Sequence, residues 1–415
     1  MELLRIGVRN VRRNTRRTVL NVIALALGTA IMIVSVAWVR GYFTSLFDGI
    51  IRIDTGHAQV LHGSYRDEQR RLPLDLTVRD YNAVRDTVRD VPSVTAIAAR
   101  LDFGAQISSE ADPARSIRLL GRGVEPELEE RITVVADHIV RGSALSEARR
   151  GVLLSERIAS RLRVEPGDAV IIRAIDRSGA WQERSAELVG VFTLGYPAID
   201  ETSFLISLPI AQELTGISNA VTRLVIALDS GPAVASNVAA VNAALGDWPE
   251  LRAYEWRRFV EVIVQAVEAD AAGFAVIIVV LYLLIIVGIL NSMSMSVHER
   301  RREIGTLRAI GMKRAPLRRL ILVEGAAVAL IGAAAGAVLA GLSSIYFAGV
   351  GFDLSILEGT GLPLPFGERF VADFRVHDYL IATAIAVVTA CVGTILPATR
   401  SARLPITDAL GAHVE

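Results

Sequence analysis

The residues best equipped for chemistry here are arginines, and their spacing argues for ion pairing rather than for catalysis. Lys313 is the only lysine. A phosphate-binding loop of the form G-x-x-x-x-G-K-[ST] needs a lysine followed by Ser or Thr, and Lys313 is followed by Arg314. These residues therefore hold no nucleotide-hydrolysing loop of that type. The six histidines are scattered, and His57 with His62 has no acidic or cysteine company at metal-ligand spacing. Cys391 is the only cysteine, which excludes an internal disulfide and any cysteine-built metal site. No G-x-S-x-G occurs. The expectation is a chain with no catalytic residues, no metal and no cofactor of its own.

Charge is concentrated instead in Val297–Leu320, "VHERRREIGTLRAIGMKRAPLRRL", between two long apolar runs. On a helix Ile304, Leu307 and Ile310 share one arc, while Arg301, Arg302 and Arg308 mainly face elsewhere. Arg300 and Glu303 fall on the apolar arc, spaced to meet each other or a partner's groove. Gly311 supplies a helix stop and Pro316 follows shortly. Such a helix suits either a socket on another protein or a seat among lipid head groups, and its pattern alone favours neither.

The elements that must carry this segment are membrane spans. The chain is 52% hydrophobic, and its 44 basic residues balance its 44 acidic ones, so distribution matters more than net charge. Four apolar runs, Val19–Val39, Ala271–Ser296, Leu320–Val350 and Tyr379–Thr399, are long enough to cross about 30 Å of hydrocarbon. The first reads as an uncleaved anchor, because "ALA" at 24–26 lies too early in its run to be a cleavage site. Arginines precede the first run, fill the segment between the second and third, and follow the fourth at Arg400 and Arg403. By the positive-inside rule both termini and the charged loop are cytoplasmic, and the long region between the first two runs lies outside.

The expected order is a cytoplasmic amphipathic helix at 1–18, a first span at 19–46, an external domain at 47–260 and a second span at 261–296. A cytoplasmic loop at 297–319, a third span at 320–350, an external loop at 351–378, a fourth span at 379–399 and a cytoplasmic tail at 400–415 complete it. In the first segment Leu4, Val8 and Val11 oppose Arg5, Arg9, Arg12, Arg13 and Arg16, as an interfacial helix requires. The external domain mixes strand patterns at 57–61, 94–108, 115–124, 221–228 and 250–256 with helical ones at 77–91 and 232–246. It is expected as two subdomains: a base from about 50–135 and 220–256, and an outer β-rich insertion at about 140–215 whose hairpin turns at Asp176–Gly179. Its carboxylates read as surface groups.

Within the spans, Gly332, Gly336 and Ala340 form a small-residue stripe that permits close helix packing. Glu324 lies about a turn inside the third span, where pairing with Arg318, Arg319 or a neighbouring helix outweighs a proton-relay role. Trp38, Tyr42, Phe43 and Phe47 are candidates to line a cargo cavity, and equally for interfacial aromatics.

"HERRREIGTLRAIGMKR", Glu324 and the glycines Gly332, Gly336 and Gly341 resemble the permeases of the MacB, LolC/LolE and FtsX superfamily of ABC transporters. The tail "LPATRSARLPITDALG" and the opening "RNVRRNTRRTVLNVIALALG" resemble that family's closing segment and first membrane helix, and the order of one span, a large external domain and three spans matches. The resemblance implies a four-helix membrane protein with a large α+β MacB-like periplasmic core between the first two spans, in the bacterial inner membrane. It makes the loop a coupling helix that seats in a separate ATPase subunit, through Glu299, Arg300, Arg302, Glu303, Ile304, Gly305, Leu307, Arg308 and Gly311. Two permease chains would pair around two ATPases, which bind the ATP and Mg, and motion would pass along the spans to the periplasmic domains. "GVFTLGYPAIDETSFLISLPIAQELTG" at 190–216 resembles the corresponding part of the lipoprotein-releasing members, LolC and LolE. In LolC a longer, proline-bearing hook recruits a soluble carrier; here the hairpin is the short "DRSGAW". The alternatives are an efflux permease of the MacB type working with a periplasmic adaptor, and an FtsX-like regulator of cell-wall hydrolases that transports nothing.

Overall fold

A computed structural model describes residues 15–146, 151–229, 234–350, 352–353 and 369–403. Most of the amphipathic segment expected at 1–18 and of the closing tail thus lies outside the described residues, as does most of the loop at 351–378. Among the described residues four helices are long and apolar enough to cross a membrane. The first runs Thr15–Ile50, the second Glu261–Glu299, the third Arg314–Val350 and the fourth Val376–Arg403. The second has 39 residues, about 58 Å at 1.5 Å per residue, well beyond the apolar run read at 271–296.

The chain divides into two compact units. The helical unit comprises the chain up to Phe43, Gln265–Asp353 and the chain from Phe370. Its third and fourth helices meet along small side chains: Ala329, Ala333, Ala382, Ala386 and Ala390 are all buried. Arg40 of the first helix donates to both oxygens of Asp378, in the first turn of the fourth, at 2.6 and 2.9 Å.

The second unit is built on a ten-stranded mixed sheet. Its strands are β1 (Ala58–His62), β3 (Val94–Ser109), β4 (Ser116–Val124), β5 (Ile139–Gly142), β6 (Gly151–Ser155), β7 (Ala169–Ile175), β8 (Trp181–Phe192), β9 (Ser203–Ser207), β11 (Arg223–Leu228) and β12 (Leu251–Glu255). Two short strands, β2 (Val78–Arg79) and β10 (Ala220–Val221), pair separately. The order is β12-β1-β11-β3-β4-β9-β6-β8-β5, with β7 pairing β3 and β8. Sixteen-residue β3 is the spine, paired with β11, β4 and β7. One sheet therefore runs through both the flanks and the middle of the domain. The helix Tyr81–Arg89, inside the helical pattern at 77–91, buries Val84 and Val88.

Charges occupy the interior of this unit. Register places Arg223 of β11 directly opposite Arg100 of β3, a pairing that like charges disfavour. Carboxylates resolve the conflict. Arg100, fully buried, donates to both oxygens of Glu129 at 2.6 and 3.1 Å. Arg223 bonds Asp102, two residues along β3 from Arg100. Arg122 of β4 meets Asp102 at 3.2 Å and Asp54 at 2.8 Å. Asp54 lies in the π-helical turn Ile51–Thr55 that continues the first long helix. Three guanidinium groups and three carboxylates thus neutralise one another. Desolvation pushes the Arg100 pKa down, against the pull of Glu129. At Arg122 desolvation also opposes the charge, but Asp54 and Asp102 outweigh it and the pKa rises. The surface reading of the carboxylates fails at Asp102 and Glu129, which are 1% and 5% exposed.

Removing one partner from a buried pair strands the other charge, at a cost of about 3–5 kcal/mol. Glu129→Leu is accordingly expected to lower the unfolding free energy by about that much. Arg157→Ala, which breaks the exposed pair with Glu201, should stay within about 1 kcal/mol. Denaturant melts followed by tryptophan fluorescence check the contrast.

Candidate functional site

The charged loop folds as the short helix Arg301–Ala309, with Arg300 at its N-cap position. It ends where the apolar periodicity stops. Gly311 adopts φ +103°, a left-handed conformation that glycine enters without steric cost. Its N–H bonds the Arg308 carbonyl at 3.1 Å, and Met312 N–H reaches Leu307 O at 3.0 Å, closing the helix with a reversed turn. Pro316 then falls in the first turn of the third long helix, where its missing N–H costs nothing.

Arg300 organises the site. Its Nε donates to Glu303 at 3.0 Å, and its Nη1 donates to both oxygens of Glu324 at 2.9 and 3.2 Å. The partner of Glu324 is thus Arg300, 24 residues away, while Arg318 and Arg319 point to solvent. The spacing of Arg300 and Glu303 brings them together, as one of its two readings required. Ile304, 6% exposed, packs with Leu317 of the third helix and Ala402 of the fourth, flanked by Val297 and Met312. Gly305 is buried beside it, and Leu307 helps line a small cavity with Met293, Ile321 and Glu324.

Two expectations about the loop need correction. Arg308 does not face away: its Nη1 donates to the Ala402 carbonyl at 2.6 Å, near the end of the fourth helix. Nor do the three apolar residues form one ridge for a partner. Ile304 is spent inward, and Ile310 is 81% exposed. A helix this short, clamped on one side by two longer helices, turns only its opposite face outward. That face carries Arg302, Thr306, Ala309 and Ile310, and beyond the turn Lys313 and Arg314. Glu299, at the end of the second helix, is also exposed.

The small-residue stripe lies inside the chain. A Cβ on Gly332 would meet Leu25 Cβ at 2.6 Å, and one on Gly336 would meet the Ala26 carbonyl at 2.5 Å and Thr29 Cβ at 2.7 Å. Ala340 is fully buried. Gly332 and Gly336 therefore seat the third helix on the first. The aromatic candidates occupy two stripes of the first helix: Trp38 is 38% exposed, the Tyr42 and Phe43 rings lie 5.5 Å apart, and Phe47 packs on Trp256 at 4.9 Å. The Arg40–Asp378 pair escaped the sequence reading, since nothing in either residue's neighbourhood points to the other. Among the described residues no group of His, Cys, Asp or Glu has the arrangement of a metal site.

Residues 18–244 match the MacB-like periplasmic core domain, and residues 275–406 match the FtsX-like permease C-terminal. The chain is 23% identical to the lipoprotein-releasing system transmembrane protein LolC of Xylella fastidiosa, over 98% of this chain and 97% of that one. It is 22% identical to the corresponding LolE protein of Haemophilus influenzae, over 94% and 93%. The macrolide export ATP-binding/permease protein MacB of Mannheimia succiniciproducens is 22% identical over 82% of this chain, which spans 52% of that longer protein.

Gly336→Leu is expected to separate the first and third helices and to lower the melting temperature by at least 5 °C in detergent. Gly341→Leu, where a Cβ meets nothing within 4 Å, should leave it nearly unchanged. Differential scanning fluorimetry of the two purified variants decides the matter.

Proposed function

The chain belongs to the family of the MacB-like periplasmic core domain, as an ABC transporter permease of the MacB, LolC/LolE and FtsX superfamily, and from that membership we propose that it releases lipoprotein, or another lipid-like cargo, from the inner membrane. Membership makes it the non-catalytic membrane subunit of an ABC transporter, with an ATPase as partner. The observation that carries the cargo assignment is similarity to a lipoprotein-releasing protein along 97% of that protein's length.

In this reading the loop at 297–319 is cytoplasmic and its outward face seats in the ATPase. Two ATPase subunits drive two permease chains, of one kind or two, and hold the ATP and Mg. Arg300, Glu303, Ile304, Gly305, Leu307, Arg308 and Gly311 act by fixing the helix against the third and fourth spans, and Glu299 and Arg302 by facing the partner. Because the clamp joins the short helix to Glu324 and Ala402, a push on the loop reaches two spans together. The exposed apolar surface of the second helix, including Val276, Ile277, Leu284 and Val287, suits lipid or the second permease chain. The periplasmic part works as a base with an outer β-rich insertion, moved by the spans. Trp38, Tyr42, Phe43 and Phe47 line the entry for cargo, and a soluble carrier receives it.

The test separates the outward face from the clamp. Tagged native chain, solubilised mildly from its own membranes, should bring down an ATPase. Arg302→Glu with Ile310→Asp should cut that recovery at least tenfold while leaving the melting temperature within about 2 °C. Unchanged recovery would sink the coupling role of this face. A periplasmic lipoprotein carrier among the captured chains supports release, an adaptor favours efflux instead, and a cell-wall hydrolase favours a regulator.

A further inference from the structure

One surface of the β-rich unit is built like a ligand site, independently of the cargo assigned above. A groove of about 820 Å³ opens between the tip of the β7–β8 hairpin, the segment 71–75, and the residues Gly104–Gln106 of β3 with Arg118 and Leu119 of β4. Such a volume falls in the range of small-molecule sites, about 300–1,000 Å³.

The groove has an apolar part. Ile175 and Trp181 stand opposite each other across the hairpin and are 48% and 65% exposed, although cross-strand apolar pairs of this kind ordinarily seek cover. Leu72 and Leu74 also line it. Leu72 holds φ +50°, a left-handed conformation that a branched side chain rarely adopts and that tends to be kept where function requires it.

The groove also has a cationic part. Four arginines line it, against Asp75 and Asp176, which leaves a net charge of +2. Arg173 is held by Glu183 at 2.5 Å, and Arg71 lies 4.0 Å from Glu68. Arg118 and Arg177 are exposed and have no ion-pair partner among the described residues. Asp176 is committed to the turn: its Oδ1 accepts from Ser178 N–H and Oγ and from Ala180 N–H at 2.6 to 3.0 Å, and its Oδ2 accepts from Gln182 at 2.9 Å. The Ser178 hydroxyl foremost, then Gln182 and the turn amides, hold this carboxyl at a pKa of about 2. The hairpin that carries Arg177 is thereby preset in shape. A guanidinium in such a place pairs in two-pronged fashion with phosphate or carboxylate oxygens.

We infer that this groove binds an anionic amphiphile, with a phosphate or carboxylate head on Arg118 and Arg177 and a single aliphatic or aromatic tail against Leu72, Ile175 and Trp181. The charge of the rim selects the head, and the uncovered apolar pair selects the tail.

The full chain, labelled with 5-fluorotryptophan and held in phosphatidylcholine nanodiscs, tests this directly. It has four tryptophans, and Trp181→Phe identifies the resonance of interest. Octyl phosphate should shift the Trp181 signal saturably, at a concentration at least tenfold below that required of octyl glucoside or of inorganic phosphate. Arg118→Glu with Arg177→Glu should raise the apparent Kd at least tenfold, and Arg118→Lys with Arg177→Lys should restore most of the loss. An equal response to octyl glucoside would mean a merely greasy surface, and an equal response to inorganic phosphate an anion site without a tail subsite. Either result, the absence of any shift, or indifference to the charge reversal overturns the proposal. None of these outcomes bears on capture of the ATPase, so the two readings fail separately.

Discussion

Arg300 is the group on which the loop's arrangement depends. One planar guanidinium reaches Glu303 on the short helix and Glu324 on the third long helix at once. Glu324 is 8% exposed, and a carboxylate so placed needs a counter-charge with good geometry. Once that pair forms, the rotation of the short helix is no longer free. Ile304 is turned onto Leu317 and Ala402, Arg308 reaches the carbonyl end of the fourth helix, and Ile310 is left to solvent. The outward face is thus a consequence of what the inward face must satisfy, and a partner meets only what the clamp leaves over.

Much of the fold was legible because its signals are local. Four apolar runs declare four long helices, period-two and period-3.6 patterns declare β1, β3, β4, β11, β12 and the helix at 81–89, and "DRSG" declares the β7–β8 hairpin. Gly311 followed by Pro316 marks a stop and a restart that need no tertiary information. What was illegible depended on register and on distant partners. Arg100 and Asp102 alternate along β3 like any polar strand face, and only the register with β4 and β11 places Arg122 and Arg223 opposite them. Arg318 and Arg319 lie nearest to Glu324 in sequence, yet Arg300, at the N-cap of the short helix, supplies its partner. The glycine stripe announces that something approaches closely; that the neighbour is Leu25–Thr29 of the same chain is written nowhere in the third helix itself.

The same limits bear on the candidate site. Its members could be named from resemblance and spacing, but their division into clamp and contact face could not. Ile304, Leu307 and Ile310 share an arc on an isolated helix. Packing against two neighbours splits that arc, because the short helix has too few turns to present one apolar stripe inward and another outward. A helical wheel assigns neighbours to a helix; it does not say how many neighbours there are.

Arginine rather than lysine is what makes these arrangements work. A lysine at position 300 offers one compact ammonium and could not span Glu303 and Glu324 with directed hydrogen bonds. At position 100 the fork supplies two bonds to Glu129 and a further one to the Asp54 carbonyl. At position 40 it takes both oxygens of Asp378. At Arg100 the charge leaves bulk water altogether and at Arg40 and Arg300 it does so in part, a cost that several satisfied donors together offset. All but one of the chain's basic residues can do this, and the exception, Lys313, sits exposed in the turn after the short helix. There, a charge that needs no fixed partner inside the protein remains available to one outside it.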